Sequence, residues 1–183
     1  MKPALIIIDL QEDFFKDKFL AKKRKKISNS VNKLVKIVRS KKIPIIWVKQ
    51  EYENDLSDAP LYNRKNKKKI TIKNTKGCQF LSELDYNEKD FLIIKKRFSA
   101  FFKTDLEKLL KKIKIDTLII AGINTMSCVR TTAIDAYQRD YDVILDLDAT
   151  TAYDTKQHKN SIEYLKHAVA KIMDTKEIIS LLK

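Results

Sequence analysis

Three reactive side chains follow short apolar runs that are typical of buried strands. The carboxylate of Asp9 follows the run at residues 4–8, and the ammonium of Lys95 follows the run at 91–94. The thiol of Cys128 lies after a third run, beyond a loop that opens with Gly122. Because catalytic sites of open parallel sheets form at the carboxyl ends of the strands, we expect these groups to meet in one crevice.

A carboxylate, an ammonium and a thiol together can perform acyl transfer. A thiol at the start of a helix should be acidified by the helix dipole, and a nearby lysine should favour the thiolate further. The carboxylate can take the thiol proton and return it to a leaving amine. Unpaired backbone N–H groups at the helix start can stabilise an oxyanion. Each residue alone also fits a structural role, so the prediction depends on their joint occurrence.

The elements that must position these groups alternate along the chain. Apolar, β-branched runs predict strands at 4–8, 43–48, 91–94, 117–121, 143–145 and 171–173. Helical periodicity predicts helices at 27–40, 104–113, 128–139 and 158–170, and one from 175 onward. Thr104 and Glu107 have the spacing of a capping box. The pattern predicts an α/β fold, a three-layer α/β/α sandwich with a mostly parallel, Rossmann-like sheet of about six strands.

Composition limits the partners. The 183 residues fit one domain over residues 1–183, and no apolar run is long enough for a membrane span or a signal peptide. The net charge of +14 is spread along the chain, and its densest lysine runs lack interleaved aromatics. Two cysteines are too few for a disulfide framework. We therefore expect a cytoplasmic protein that binds a small-molecule substrate, and neither nucleic acid nor a membrane.

Three motifs occur in order along the chain. They read I-I-I-D-L-Q-E-D-F at 6–14, K-K-R-F-S-A-F at 95–101 with T-D-L at 104–106, and G-I-N-T-M-S-C-V at 122–129. Together they resemble the isochorismatase-like superfamily of cysteine hydrolases. That superfamily includes nicotinamidases, N-carbamoylsarcosine amidohydrolases and isochorismatases.

The resemblance implies a role for each reactive residue. Asp9 would be the general base and acid, and Cys128 the nucleophile. Lys95, four residues before Ser99, takes the position of the family's lysine, with Lys96 as the alternative. The resemblance also implies a cis peptide before Asn124, with the N–H groups of Asn124 and Cys128 forming the oxyanion hole. Relatives form dimers and larger assemblies, so it further implies a homo-oligomer.

The sequence also allows predictions about a metal site and about the residues that line the substrate pocket. Nicotinamidases resemble this chain but carry a metal held by an Asp-x-His pair and a further histidine after the second strand. The corresponding region here has no histidine, and the two histidines of the chain, His158 and His167, lie far downstream. We therefore predict no metal and no cofactor. The residues expected to line the substrate pocket are Phe14, Trp47, Gln50, Phe98 and Phe101.

The sequence leaves three functions open. The first is a metal-independent hydrolase that cleaves a C–N bond of a small amide or carbamoyl substrate through a thioester on Cys128. The second is an isochorismatase-type vinyl ether hydrolase, in which Asp9 protonates the substrate and the cysteine matters little. The third is a noncatalytic binding protein on the same fold. Replacing Cys128 by alanine separates the first function from the other two.

Overall fold

A six-stranded, all-parallel sheet forms the centre of the computed structural model, which describes residues 1–182. Its strands are β1 (Pro3–Ile8), β2 (Ile45–Gln50), β3 (Phe91–Lys95), β4 (Thr117–Ile123), β5 (Asp142–Thr151) and β6 (Lys171–Met173). Their order is β3-β2-β1-β4-β5-β6, so the chain reverses direction across the sheet between β1 and β4. A crevice is expected outside the carboxyl ends of strands at such a reversal.

Helices cover both faces of the sheet, which confirms the predicted α/β/α layers. They are α1 (Lys18–Ser40), α2 (Leu61–Lys65), α3 (Leu106–Lys112), α4 (Cys128–Tyr137), α5 (Thr155–Ala168) and α6 (Thr175–Leu181). Apolar residues of α1 and α6 pack on one face, and those of α3, α4 and α5 pack on the other. Within residues 1–182, no helix has both the length and the apolar character needed to cross a membrane.

The continuous apolar run of β1 follows from its central position. Leu5 and Ile7 point into the core under α1, while Ala4, Ile6 and Ile8 point into the opposite core. All five are fully buried. Because successive side chains of a strand face opposite sides, a strand covered on both faces needs apolar residues at every position.

Helix α1 begins well before the predicted start at residue 27. Its first residue is Lys18, and the Asp17 side chain accepts hydrogen bonds from the backbone N–H groups of Phe19 (2.9 Å) and Leu20 (3.1 Å). Such a cap satisfies N–H groups that have no partner within the helix. The basic run at residues 22–26 interrupts the apolar periodicity, and the sequence pattern therefore missed this part of the helix.

The predicted capping box at Thr104 does not form. Asp105 precedes α3 and makes no side-chain cap. Glu107 instead pairs with Lys111 (2.6 Å) and with Arg139 (3.0 Å). The Thr104 hydroxyl donates to the backbone oxygen of Ala100, which holds the chain between β3 and α3 in a turn.

The segment at residues 51–75, expected to be an irregular loop, contains α2 and a small core of its own. Tyr52, Leu56, Ala59 and Ile72 are buried together there. The backbone of Tyr52 exchanges hydrogen bonds with residues 71 and 73 of the same segment. This local packing gives the segment a fixed shape where it follows β2.

Candidate active site

Asp9, Lys95 and Cys128 meet at the carboxyl end of the sheet. The Lys95 Nζ lies 2.8 Å from Asp9 Oδ2 and 3.4 Å from Cys128 Sγ. The exposed fractions are 1% for Asp9, 0% for Lys95 and 5% for Cys128, so the three groups are almost sealed from solvent. The strand order brings them together. The strand before Asp9, β1, lies at the centre of the sheet, with β4 (before Cys128) next to it and β3 (which ends at Lys95) two strands away on the other side.

The turn after β1 fixes the position of Asp9. Its backbone N–H donates to the Val48 oxygen (2.9 Å), and its φ of 55° lies in the left-handed region, which aspartate tolerates better than most residues. Ile8 pairs with Gly122 of β4, whose φ is 115°. A Cβ at Gly122 would collide with the Ile8 backbone, so glycine is required for the close approach beside Asp9.

The Asp9 carboxylate has free acceptor capacity. Apart from the ion pair with Lys95, neither of its oxygens accepts a well-oriented hydrogen bond from residues 1–182. Burial raises the pKa of Asp9 above its ordinary value, and the Lys95 charge offsets this only in part. A buried carboxylate with open lone pairs and a raised pKa is suited to accept and return a proton.

Of the two candidate lysines, Lys95 faces the site. Burial alone would lower the pKa of Lys95, but the neighbouring Asp9 and Cys128 outweigh it and raise the pKa above its ordinary value. Lys95 therefore stays charged. Lys96 points elsewhere: its Nζ donates to the Glu51 oxygen (2.6 Å) and lies 2.7 Å from an Asp58 carboxylate oxygen.

The thiol of Cys128 is not acidified, which corrects the expectation from the helix start. Burial raises the pKa of Cys128 to about 12; Lys95 opposes this shift, and the Asp9 charge adds to it. At neutral pH the thiol therefore keeps its proton until a base removes it. Asp9 is the carboxylate that lies within hydrogen-bond reach of this thiol, and it is therefore placed to accept the thiol proton.

Two free backbone N–H groups lie beside the thiol. The Ile123–Asn124 peptide is cis, and neither Asn124 nor Cys128 donates a backbone hydrogen bond to any described residue. The loop between them is held in place, because the Asn124 oxygen accepts from Ser127 and Val129 (3.0 Å each) and the Thr125 N–H donates to Thr151 (3.0 Å). The geometry leaves both N–H groups available to an oxygen of a ligand.

A cavity of about 270 Å³ opens above Cys128. Three residues expected to line it, Phe14, Gln50 and Phe98, do so. The others are Tyr52, Pro60, Tyr62, Asn63, Lys68, Ile70, Asn124, Ser127, Cys128 and Tyr153. The mixture of aromatic walls with a few polar groups is typical of a small-molecule site.

Trp47 and Phe101, also expected in the pocket, lie elsewhere. Trp47 points to the α1 face, is fully buried against Phe80 and Tyr86, and donates from Nε1 to Asp90 (3.0 Å). Phe101 belongs to the opposite core. The direction of a side chain in a strand or a packed turn is set by the local backbone geometry. These two rings are therefore close to the site in sequence but do not point into the cavity.

The pocket also contains residues that the sequence did not suggest. Tyr52 follows β2 and Tyr153 follows β5, so the rule that sites form at strand ends could have found both. The Tyr153 N–H donates to Asn124 Oδ1 (3.1 Å), and burial raises the pKa of the Tyr153 hydroxyl to about 12. Asn63, Lys68 and Ile70 come from the segment after β2, where no periodicity marks them.

Gln11, in the first motif, connects β1 to its surroundings. Its Nε2 donates to the backbone oxygens of Gln50 and Cys78 (2.8 Å each), and its Oε1 accepts from the Gln50 N–H (2.8 Å). Asp13 accepts from the Thr71 N–H (2.7 Å). These buried bonds hold the end of β2 and the segment at residues 66–80 against the site.

The cavity does not suit the metal centre of nicotinamidase-type relatives. Among residues 1–182 no group of three or more His, Cys, Asp or Glu side chains is placed to hold a metal ion. Gln50 ends β2, Glu51 and Tyr52 follow it, and Glu51 is already paired with Lys49 (2.8 Å). An amide and a phenol are poor replacements for the imidazole and carboxylate ligands that zinc prefers. His158 instead bonds the Thr125 hydroxyl (2.8 Å).

Comparison with known proteins gives consistent matches. The isochorismatase domain family matches residues 3–177. The "Probable inactive nicotinamidase" of Arabidopsis thaliana is 36% identical over 172 residues, 90% of this chain and 88% of that protein. An isochorismatase family protein from Desulfovibrio vulgaris superposes with a TM-score of 0.90 at 25% identity, covering 99% of this chain and 98% of that one. N-carbamoylsarcosine amidase from Thermoplasma acidophilum has a TM-score of 0.83 at 25% identity, covering 96% and 97%.

Proposed function

This chain belongs to the isochorismatase family, and on that premise we propose that it is a metal-independent cysteine hydrolase of small amides or carbamoyl compounds. The observation that carries the proposal is the position of the Lys95 Nζ, 2.8 Å from Asp9 and 3.4 Å from Cys128 beside an open cavity. An amidase among the structural relatives supports C–N cleavage as the reaction class.

In the first step, the Cys128 sulfur attacks the carbonyl carbon of the substrate. Asp9 takes the thiol proton as the C–S bond forms, and the carbonyl oxygen becomes an oxyanion that accepts from the Asn124 and Cys128 N–H groups. Lys95 remains protonated throughout, so its charge stabilises the carboxylate before the transfer and the sulfur during it. Burial makes both effects stronger than they would be in water.

In the second step, the tetrahedral intermediate collapses and the C–N bond breaks. Asp9 returns the proton to the leaving ammonia or amine, which leaves an acyl thioester on Cys128. Water then attacks the thioester while Asp9 takes a proton from it. The C–S bond breaks, the acid product leaves, and the sulfur regains its proton from Asp9. The cycle therefore needs no group beyond the three side chains, the two N–H groups and water.

Vinyl ether hydrolysis is the second candidate function. It needs a carboxylic acid that can hold a proton before passing it to the substrate, and the raised pKa of Asp9 favours that ability. Cys128 would be dispensable in this reaction. Vinyl ether hydrolysis does not use the contact between Lys95 and Cys128, and we therefore rank C–N hydrolysis first.

A noncatalytic role is the third candidate, and the name of the Arabidopsis relative calls that protein inactive. In this chain, burial of the Asp9–Lys95 pair carries a desolvation cost that an apolar pair would avoid. The presence of such a costly pair beside a thiol and a cavity favours a catalytic role. A noncatalytic protein would show a Cys128 that no amide acylates.

The test is ammonia release from a panel of small amides, ureido acids and carbamoyl compounds. The protein is compared with its Cys128→Ala variant and with Cys78→Ala, a control that removes the other buried free thiol. We expect release that is lost only in Cys128→Ala, with the fold kept in both variants. Release that persists without Cys128 would contradict the thioester mechanism, and no release from any compound would favour the second or third candidate.

The proposal extends to the whole chain. We propose that residues 1–183 act as one hydrolase domain, that the protein works in the cytoplasm, where its two free thiols stay reduced, and that it forms homo-oligomers. Exposed rings at Phe98 and Phe102 offer apolar surface for such an assembly. Light scattering at micromolar concentration should give a mass above that of one chain; a monomer would contradict the last point.

A further inference from the structure

The cavity above Cys128 contains a single charged side chain at its rim. None of its described lining residues is acidic, and Lys68 is the one basic residue among them. Lys68 is exposed, as are its rim neighbours Tyr62 and Phe98, whereas Phe14 and Gln50 lie deeper and are buried. A ligand that reaches from the thiol to the cavity mouth would therefore meet one positive charge at its far end.

The Lys68 ammonium has no partner in the part of the chain that the structure describes, since no salt bridge or side-chain hydrogen bond involves its Nζ. Among residues 1–182, Lys65 and Lys67 are also unpaired but lie outside the cavity lining, whereas other lysines nearby have partners. Lys69 donates to Asn54 (2.8 Å), Lys73 pairs with Glu53 (3.0 Å) and Lys96 pairs with Asp58 (2.7 Å). Lys95 is already committed to Asp9. Lys68 is thus the cation of this cavity that is free to bind an anion.

Gln50 adds a neutral polar group deeper in the cavity. Its exposed fraction is 7%, and its backbone groups are bonded to Gln11. Its side-chain amide makes no hydrogen bond to residues 1–182, and its polar atoms are not sealed from solvent. Because Gln50 lines the cavity, its amide is free to bond a polar group of a ligand there.

We propose that the substrate is a small amide carrying a carboxylate at the end away from the scissile bond, with Lys68 binding that carboxylate and Gln50 bonding the polar atoms between. The inference rests on the proposed function for the reacting end. Aromatic walls at Phe14, Tyr52 and Tyr153 suit the methylene groups that join the two ends of such a molecule. The net charge of +14 would draw the same anions toward the protein.

The first test uses two thiol reagents that differ in charge and need no turnover. The rate of Cys128 modification is measured by mass spectrometry with maleimidopropionate, which carries a carboxylate, and with uncharged N-butylmaleimide. The ratio of the two rates is compared between the protein, Lys68→Met and the control Lys65→Met. Lys65 is also exposed but lies outside the cavity lining.

We expect the rate ratio to fall about three- to fivefold in Lys68→Met and to stay unchanged in Lys65→Met, the range for one exposed ion pair. Equal ratios in all three proteins would overturn the inference and leave the proposed function standing. An equal fall of the rate ratio in both variants would show that the effect comes from the overall charge, and it would also overturn the inference. Failure of both reagents to modify Cys128 would also overturn the inference, while ammonia release from the amide panel decides the proposed function separately.

The second test uses a matched pair of amides, succinamate and levulinamide, in which an acetyl group of similar shape replaces the carboxylate. Lys68→Met should raise KM for succinamate by about three- to fivefold with little change in kcat, and should leave KM for levulinamide unchanged. Equal KM changes for both amides would show that Lys68 acts on the shape of the cavity rather than on charge, which contradicts the inference.

Discussion

The ammonium of Lys95 lies 2.8 Å from the carboxylate of Asp9, with 0% and 1% of the two side chains exposed. Removing both charges from water is costly, and their attraction repays this only while both are present. The same ammonium also contacts the Cys128 sulfur, so the ion pair lies directly beside the proposed nucleophile. Stability and activity should therefore respond differently when one partner is removed.

Lys95→Met should abolish hydrolysis and lower the free energy of unfolding by about 3–5 kcal/mol, because it leaves the Asp9 charge buried without a partner. Denaturant unfolding measures the change. Lys96→Met is the control: its pair with Asp58 is partly exposed and should cost less than about 1 kcal/mol. Equal stability losses in the two variants would contradict the assignment of Lys95. The double variant Asp9→Asn/Lys95→Met should recover stability without recovering activity.

The acid side of the pH profile should report Asp9. Asp9 must be ionised to take the thiol proton, and burial raises its pKa above the ordinary value of 3.8. Values of kcat/KM should therefore rise with pH through a midpoint above the ordinary value of 3.8, as a property of the coupled site. Full activity retained down to about pH 4 would contradict a base with a raised pKa. The Asp9→Asn variant should show no turnover across the range.

Gly122→Ala should destabilise the protein by about 2 kcal/mol or more. The new Cβ would collide with the Ile8 backbone, and the φ of 115° is unfavourable for alanine. The shift would displace the turn that carries Asp9, so activity should fall as well. Ala121→Gly, at the preceding position in β4, is the control and should cost about 1 kcal/mol. A Gly122→Ala variant with unchanged stability would mean that β1 and β4 can separate without cost.

Asp146, which is fully buried in β5, should make the free energy of unfolding depend on pH. Burial raises its pKa from 3.8 to about 6, so between these pH values the folded protein holds a proton that the unfolded chain releases. Its contribution to the free energy of unfolding is therefore complete below about pH 4 and declines by about 3 kcal/mol as pH rises to about 6. Asp146→Asn should remove this decline, measured by urea unfolding at several pH values.

The matched control for that variant is Asp142→Asn, an exposed carboxylate at the start of the same strand. It should leave the pH dependence of the parent protein in place. A parallel loss of pH dependence in both variants would contradict the role of burial at Asp146.

The strand ends and the three motifs were sufficient to predict the meeting of Asp9, Lys95 and Cys128. Parallel topology places strand ends at one edge, and the apolar runs of β1, β3 and β4 locate those ends well. Trp47 was misplaced because the pattern of a fully buried strand, apolar at every position, does not show which face a given side chain takes.

Other features depend on packing between distant segments. Tyr62, Asn63 and Lys68 reach the cavity because α2 and its small core position them, and no local pattern marks that arrangement. The raised pKa of Cys128 follows from burial and from the Asp9 charge, which together outweigh the lysine that the sequence could show. Local signals therefore predicted that these three side chains meet, but not their electrostatic state or the residues that line the cavity beside them.

The central claim is that Cys128 is acylated during turnover, and mass spectrometry of the acid-quenched reaction tests it most directly. With any amide from the panel that releases ammonia, we predict an added acyl mass on the peptide containing Cys128. The peptide containing Cys78, whose thiol is buried and outside the cavity lining, should stay unmodified. Turnover accompanied by an acyl group on Cys78, or persisting in Cys128→Ala, would contradict the account.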